Sequence, residues 1–526
     1  MTSSSVMGVT KRMENFMNVL TMISDWIWNP LAYFALAVGI FFTFVTKGVQ
    51  FRRLPDMIKQ LKDSKSGDGG LSSFQTLALT LSSRVGVGSI AGVATAVAMG
   101  GPGAIMWMAV TGLLGSTCAY AEAVLAQTYK RRIHGEDRGG MPYYIKYGLK
   151  APWLAFIVAL TAMIGYGFVF PGVQANNIAS SSQQAFGLEP WVTGLIITGL
   201  LAVVVVGGTK RVVSVAQTVV PFMAVGYLLT ALLLIFLNLD KLPDAIVLIV
   251  SSGFGTDQVF GGIIGYAVAW GVRRAVFASA TGFGEGTFAA AAAHATHPGK
   301  QGIIQAFSIY IDLLLICMAT GIMVVLTDSY HVSDGAGGMI VDHVPGAVAG
   351  PNFVQAAIDS SLPGWGSVAV AIAILLFAFT SQVFFFYVAT TNLIFLLGEN
   401  RSVFLENVIK IGALAISFIG SVISADAMWA AGDIGYGLLA WLNMAAVLLL
   451  TPVVRKIIKD YDSQRKAGVD PVFDPQELGI EGAVWWETTF KRQMNEDVET
   501  AGEVTGAVPL VEDPVAEGEC EPVRDR

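Results

Sequence analysis

The sequence predicts an all-α polytopic membrane protein with eleven transmembrane helices, ten of which form two inverted halves of five. Three observations predict it. First, 54% of the 526 residues are hydrophobic and only 13% are charged, where a soluble domain carries about a quarter charged residues. Mean hydropathy is +0.61. Second, eleven stretches meet the requirement of about 20 mostly apolar residues for a membrane span. Third, two of those stretches are interrupted by glycine clusters at matching places in the order of helices.

The spans fall at 25–46, 72–99, 103–128, 152–180, 190–207, 212–238, 259–292, 303–327, 366–397, 403–424 and 429–453. They are numbered here helix 0 to helix 10. Residues 1–24 form an N-terminal interfacial segment. Within it, Met13, Phe16, Met17, Leu20 and Ile23 share one helical face and lead into Trp26 and Trp28 at the membrane boundary. Residues 25–66 hold helix 0 and a basic linker, 67–240 the first repeat (helices 1–5), 241–454 the second (helices 6–10), and 455–526 an acidic tail, disordered from about 493. The N-terminus lacks the basic, apolar and small-residue order of a cleavable signal.

Basic residues orient the chain. Lys47, Arg52, Arg53 and Lys59 follow helix 0; Lys130, Arg131 and Arg132 follow helix 2; Lys210 and Arg211 follow helix 4. Lys300, Arg401 and Arg455 follow helices 6, 8 and 10. With eleven spans all of these fall on one side, while the 329–365 loop on the other has no Lys or Arg. The expected location is the cell membrane, with the N-terminus outside and the tail in the cytoplasm.

The net charge of −7 is local. Residues 455–526 carry nine Lys/Arg and seventeen Asp/Glu, so the rest of the chain is close to neutral. Neither part offers the basic surface that nucleic acid requires. Cys118, Cys317 and Cys520 are far apart, which gives no zinc or disulfide spacing. The five His form no HExxH pattern, and no GxSxG follows a strand, so an enzyme is not expected. No cofactor is expected either. The partners are the lipid bilayer and a small solute.

Helix 1 is interrupted by Arg84-Val85-Gly86-Val87-Gly88-Ser89 and helix 6 by Thr281-Gly282-Phe283-Gly284-Glu285-Gly286. Glycine costs a helix about 1 kcal/mol relative to Ala. Each break lies in the first helix of its half, and an odd number of helices per half makes the halves inverted. Paired interruptions of this kind mark a transporter binding site at mid-membrane. For one cluster alone, close helix packing would be the simpler reading.

At these residues the chain resembles the alanine or glycine:cation symporter family. The family's helix-1 signature is matched by GDGGLSSFQTLALTLSSRVGVGSIAGV (67–93). Further matches are FRRLPDMIKQL (51–61), GGPGAIMWMAVTGLLG (100–115), YAEAVLAQTY (120–129), VQANNIA (173–179), GGTKRVVSVAQTVVPFMA (207–224), HATHPGKQG (294–302) and FDPQELGIEGAVWWE (473–487). The resemblance implies the leucine-transporter-type inverted repeat with one extra N-terminal helix. It also implies uptake of alanine or glycine with Na⁺ as coupling ion. The departures mark a divergent member. Val87-Gly88-Ser89-Ile90 stands for the family's Thr-Gly-Asn-Ile, and an Asn and a Glu are missing at the helix-6 break. Phe384-Phe385 stands near the family's Gly-Trp in helix 8.

A zwitterionic substrate needs donors for its carboxylate and acceptors for its ammonium. Free N–H groups at Gly86, Val87 and Gly88, beside Ser89, would bind the carboxylate. Carbonyls around Ser279 and Gly282 would take the ammonium. Phe277 would close the pocket or serve as a packing residue, and Phe384 or Phe385 would limit its volume. The resemblance further implies a Na⁺ site from the carbonyls of Ser82, Val85 and Phe377 and the hydroxyls of Thr380 and Ser381; hydroxyls in such helices otherwise cap their own backbone. Intramembrane charges are functional candidates by default. Arg84 would pair with Glu122, Asp312, Glu285 or Asp433 as a gate, and Arg273 and Arg274 would belong to the outer gate. Each could instead be a buried ion pair that fixes helix register. Proton coupling, or a different small solute, is the alternative within the same fold.

Overall fold

Apolar runs bounded by Gly and Pro become helices throughout, in a computed structural model that describes residues 3–62, 70–334 and 338–494. Eight helices are long and apolar enough to cross a membrane. They are helix 0 at Val19–Val45, helix 2 at Gly103–Thr128, helix 3 at Pro152–Phe186, helix 5 at Gly208–Leu237 and helix 7 at Pro298–Leu326, then helix 8 at Gly366–Leu396, helix 9 at Val403–Val422 and helix 10 at Ala427–Leu449. Length and composition thus carry eight of the eleven expected spans. Helix 4, Pro190–Val206, has 17 residues, and helices 1 and 6 are each in two pieces. Helix 1 comprises 1a, Ser73–Arg84, and 1b, Ala91–Gly100. Helix 6 comprises 6a, Ile264–Ser279, and 6b, Glu285–Ala292.

The N-terminal segment is not a separate interfacial helix in its backbone. One helix runs from Ser3 to Val45, with Pro30 inside it. The side chains of Met13, Phe16 and Met17 lie outside the described residues, as do residues 67–69 of the helix-1 signature, Cys520 and the tail from 495 on, where disorder was expected.

Helices 1 and 6 run antiparallel. The Leu71 N–H donates to the Ala292 carbonyl at 2.8 Å, and the His294 N–H donates to the Leu71 carbonyl at 2.8 Å. The start of helix 1 therefore lies against the end of helix 6. At the far end, a Cβ on Gly100 would sit 3.0 Å from the Tyr266 carbonyl, so the end of helix 1 meets the start of helix 6. The two breaks cross in the middle. This is the inverted-repeat, leucine-transporter-type fold, with the two broken helices at its centre.

Part of the acidic tail packs as a strap across the basic end of the bundle. Trp485 Nε1–H donates to Asp137 at 2.9 Å, and Trp486 Nε1–H donates to the Gln127 carbonyl at 2.9 Å. Lys130 Nζ lies 3.6 Å from the centre of the Trp485 ring and 3.6 Å from Asp137. Burial lowers the Lys130 ammonium to about 8, against the pull of Asp137. His297 begins helix 7. Its Nδ1 accepts the Gly299 N–H at 2.9 Å, and its Nε2 faces Asp460 at 3.1 Å.

Candidate substrate and ion site

Helix 1a starts on a capping box, in which the Ser72 hydroxyl accepts the Gln75 N–H and the Gln75 side chain accepts the Ser72 N–H. It ends where the Gly86 N–H turns back to the Arg84 carbonyl at 2.9 Å. A single 3₁₀ turn, Val87–Ser89, bridges to helix 1b. Helix 6a ends at Ala280 in a left-handed conformation, φ +50°, and the chain passes through Gly282 at φ +87° and Gly284 at φ +75° before helix 6b. Two glycines are needed there because side chains rarely adopt those dihedrals. A Cβ on Gly282 would also strike Met444 of helix 10.

The structure brings most of the expected substrate residues together, with neighbours the sequence did not name. Gly86 lies beside Ser381, whose Oγ would be 2.8 Å from a Cβ there. The Val87 N–H points to Gln174 Oε1 of helix 3 at 3.4 Å. Two of the three amides expected to be free are therefore engaged in this conformation. Gly88 serves packing: a Cβ on it would lie 2.8 Å from the Ala278 Cα of helix 6a. Both carbonyls expected to receive an ammonium already hold donors. Arg84 Nη1–H donates to the Ser279 carbonyl at 2.7 Å, and Asn443 Nδ2–H donates to the Gly282 carbonyl at 2.8 Å. The side-chain hydroxyl of Ser279 meets Thr281 at 2.8 Å.

Aromatic rings wall the region between the breaks. Tyr436 of helix 10 stacks on Phe170 at 3.8 Å and on Phe283 at 4.7 Å, and Phe277 meets its edge at 5.0 Å. Phe385 joins the wall against Tyr166 at 5.4 Å. Phe384 does not; successive helical residues face different directions, and its ring neighbour is Tyr387 at 6.1 Å.

The residues mapped to Na⁺ are partly assembled. Ser381 Oγ lies 3.1 Å from the Ser82 carbonyl, 3.4 Å from the Ser83 carbonyl and 3.0 Å from the Phe377 carbonyl. It spans helices 1a and 8. Thr380 Oγ1 contacts its own helix at the Phe377 and Leu376 carbonyls and Met223 of helix 5. Val85 closes helix 1a by donating its N–H to Leu81.

The charges sort into two groups. Arg273 pairs with Asp433 at 2.6 Å and Asp25 at 2.9 Å, and Arg274 pairs with Asp433 at 3.4 Å. Asp433 is thus engaged away from Arg84, and Arg273 ties helix 6a to helices 0 and 10. The second group lies at the breaks. Arg84 is 1% exposed and feels the charges of Glu122, Asp312 and Glu285, but among the described residues it forms no ion pair with them. Instead, Tyr166 O–H donates to Glu285 at 2.8 Å, Asn443 Nδ2–H donates to Glu122 at 2.5 Å, and Ser89 O–H donates to Asp312 at 2.7 Å. Asn443 also meets the Tyr144 hydroxyl. Gln174, Asn443 and Tyr166 were absent from the sequence-based site. The available signal was a polar side chain in an apolar span, and Gln174 lies within the VQANNIA stretch.

Two antiparallel broken helices, with engaged but unsaturated polar backbone at mid-bundle, define a secondary transporter. The family model for the sodium:alanine symporter family matches residues 13–475, and the chain belongs to that family. A sodium/proton-dependent alanine carrier protein of Bacillus sp. strain PS3 is 42% identical over 83% of this chain and 98% of its own length. The amino-acid carrier protein AlsT of Bacillus subtilis strain 168 is 37% identical over 90% and 99%. The sodium/alanine symporter AgcS of Methanococcus maripaludis is 31% identical over 86% and 98%. The protein is a transporter, not an enzyme.

Proposed function

We propose that the chain imports alanine or glycine with Na⁺ by alternating access, with its N-terminus outside the cell and eleven membrane spans. The observation that carries the sodium reading is Ser381, whose hydroxyl lies within 3.4 Å of carbonyls on both helix 1a and helix 8. Three carbonyl oxygens and the hydroxyl, from two helices, suit a small cation, and Na⁺ binding there would fix the unwound end of helix 1a against helix 8. Thr380 and Val85 would complete the shell after a small rotation. The substrate carboxylate would take the amides of Gly86 to Gly88 in exchange for Gln174. Its ammonium would replace Arg84 at the Ser279 carbonyl. The aromatic wall of Phe277, Phe385 and Tyr436 would restrict the substrate to a small side chain.

The driving force suffices with one ion. Moving one charge through 100 mV yields about 2.3 kcal/mol, and a tenfold Na⁺ gradient adds about 1.4 kcal/mol. Together they support a few hundredfold accumulation of a neutral solute. Proton coupling is the second reading, supported by the name of the Bacillus sp. relative, a sodium/proton-dependent alanine carrier protein. Proteoliposomes offered labelled alanine or glycine under a Na⁺ gradient, a pH gradient or neither separate the two. Equal uptake without Na⁺ overturns the sodium reading.

A further inference from the structure

The charges at the two breaks do not balance. Arg84 faces three carboxylates, Glu122, Asp312 and Glu285, and none of the four residues is more than 1% exposed. Full ionisation would leave two uncompensated negative charges inside the bundle, which is costly in a medium of low polarity. Hydrogen bonding shows where the excess lies. Glu285 receives the Tyr166 hydroxyl and lies within the field of Arg84, and its carboxylate is the charge that balances Arg84. Glu122 and Asp312 each have one oxygen satisfied, by Asn443 and Ser89. Among the described residues, Asp312 Oδ2 is buried without a hydrogen-bond partner, and Glu122 Oε2 is buried with only the backbone amides of Gly282 and Gly284 close by. An ionised carboxylate with an oxygen left bare is costly in such surroundings, and protonation removes the charge that makes it so.

We propose that Glu122 and Asp312 are a pair of proton-binding sites, each latching one broken helix. Helix 2 and helix 7 are second in their respective halves, and the latches are exchanged between the halves. Glu122 of helix 2 holds the helix-6 break through Asn443, which also grips the Gly282 carbonyl. Asp312 of helix 7 holds the helix-1 break through Ser89, whose carbonyl accepts the Thr320 hydroxyl of helix 7 at 3.0 Å. Asp312 lies in a π-helical stretch, Tyr310–Cys317, a feature that often accompanies functional sites. Each acid also has a thiol on its own helix, Cys118 at 4.0 Å and Cys317 at 3.9 Å. The titratable groups facing Glu122 are Arg84 of helix 1a, Cys118 of helix 2, Tyr144 of the segment before helix 3, and Tyr166 of helix 3; those facing Asp312 are Arg84 and Cys317. Each acid takes its own proton in this reading. The proton comes from water and returns to it; the O–H bond at Glu122 Oε2 or Asp312 Oδ2 forms on binding and breaks on release. Losing it would restore a charge beside a break and tighten the hydrogen bond that the acid accepts there, so the proton sets how firmly each latch holds.

The significance of the pair rests on the transporter reading, but its test does not. Infrared spectroscopy of the full chain in lipid at pH 7, without substrate, should show the C=O stretch of protonated carboxyl groups. Asp312→Asn should remove one part of that band, Glu122→Gln another, and the double variant both. The amides keep the shape and donors of the neutral acids, so the variants retain their packing. A spectrum without the band at pH 7, a band unchanged in the double variant, or loss of the band on adding sodium chloride at constant pH overturns the proposal. A band that behaves as expected in protein that takes up neither alanine nor glycine supports the proton sites and leaves only the transport reading to fall.

Discussion

Arg84 of helix 1a donates to the carbonyl of Ser279, the last residue of helix 6a, at 2.7 Å. The guanidinium thus occupies an acceptor that a substrate ammonium would use, and it ties the two broken helices together. It also compensates the buried carboxylates around it. Arg84→Met would leave that negative charge without a cation and should cost about 3–5 kcal/mol, the usual effect of removing one partner from a buried charge system. Arg84→Lys keeps the charge and should recover part of it. Thermal unfolding of the detergent-solubilised variants checks this; a methionine variant as stable as the parent would show that the charge is not structural.

The Ser381 and Thr380 hydroxyls make different predictions although they are neighbours in sequence. Ser381 reaches across to helix 1a, while Thr380 contacts its own helix and Met223. Ser381→Ala should raise the Na⁺ concentration for half-maximal uptake more than Thr380→Ala does, by about tenfold if one cation contact of about 1.4 kcal/mol is lost. Sodium titration of alanine uptake measures both. Equal or reversed effects would place the ion elsewhere.

How far the sequence foretold this site depended on whether the information was local. Glycine clusters act on their own helix, so the two breaks appear where Gly86, Gly88, Gly282 and Gly284 predict them. Pairings between distant helices carry no such mark. Arg84 had four candidate acids, and the structure gives it a carbonyl instead, while Asp433 takes Arg273 and Arg274. Phe384 and Phe385 are equivalent as letters, but helix 8 turns only Phe385 to the aromatic wall. Asn443 carries no mark in the sequence, where a single Asn in an apolar span looks like a tolerated polar residue; its role comes from Glu122 and Gly282 on either side of it.

Gly88 tests whether the breaks exist for ligand approach or for packing. A Cβ on Gly88 would lie 2.8 Å from backbone Ala278 Cα, which cannot move aside without helix 6a. Gly88→Ala should therefore destabilise the protein by about 1–3 kcal/mol, as overpacking does. Gly92 has only Arg274 Cδ at 3.9 Å, and Gly92→Ala, which favours helix, should be neutral or slightly stabilising. Comparing the two in one thermal series controls for helix propensity. Equal tolerance would mean that helices 1 and 6 do not approach so closely.

The strap at the basic end should be sensitive to acid through His297. Its Nδ1 accepts the Gly299 N–H, so the ring is neutral and donates from Nε2 to Asp460. Burial holds the imidazole below its ordinary value, despite the attraction of Asp460. Protonating Nδ1 would set a donor against a donor and open the start of helix 7. Because the folded value lies below the unfolded one, the folded protein binds fewer protons between the two, and stability rises with pH across that window. The contribution is complete above about 6.5, the free imidazole value, and is lost as pH falls below it. Hydrogen exchange at 297–300 should therefore accelerate on acidification from pH 7 to pH 5, and His297→Gln should flatten that dependence. An acid response unchanged in the glutamine variant would assign the sensitivity to another group.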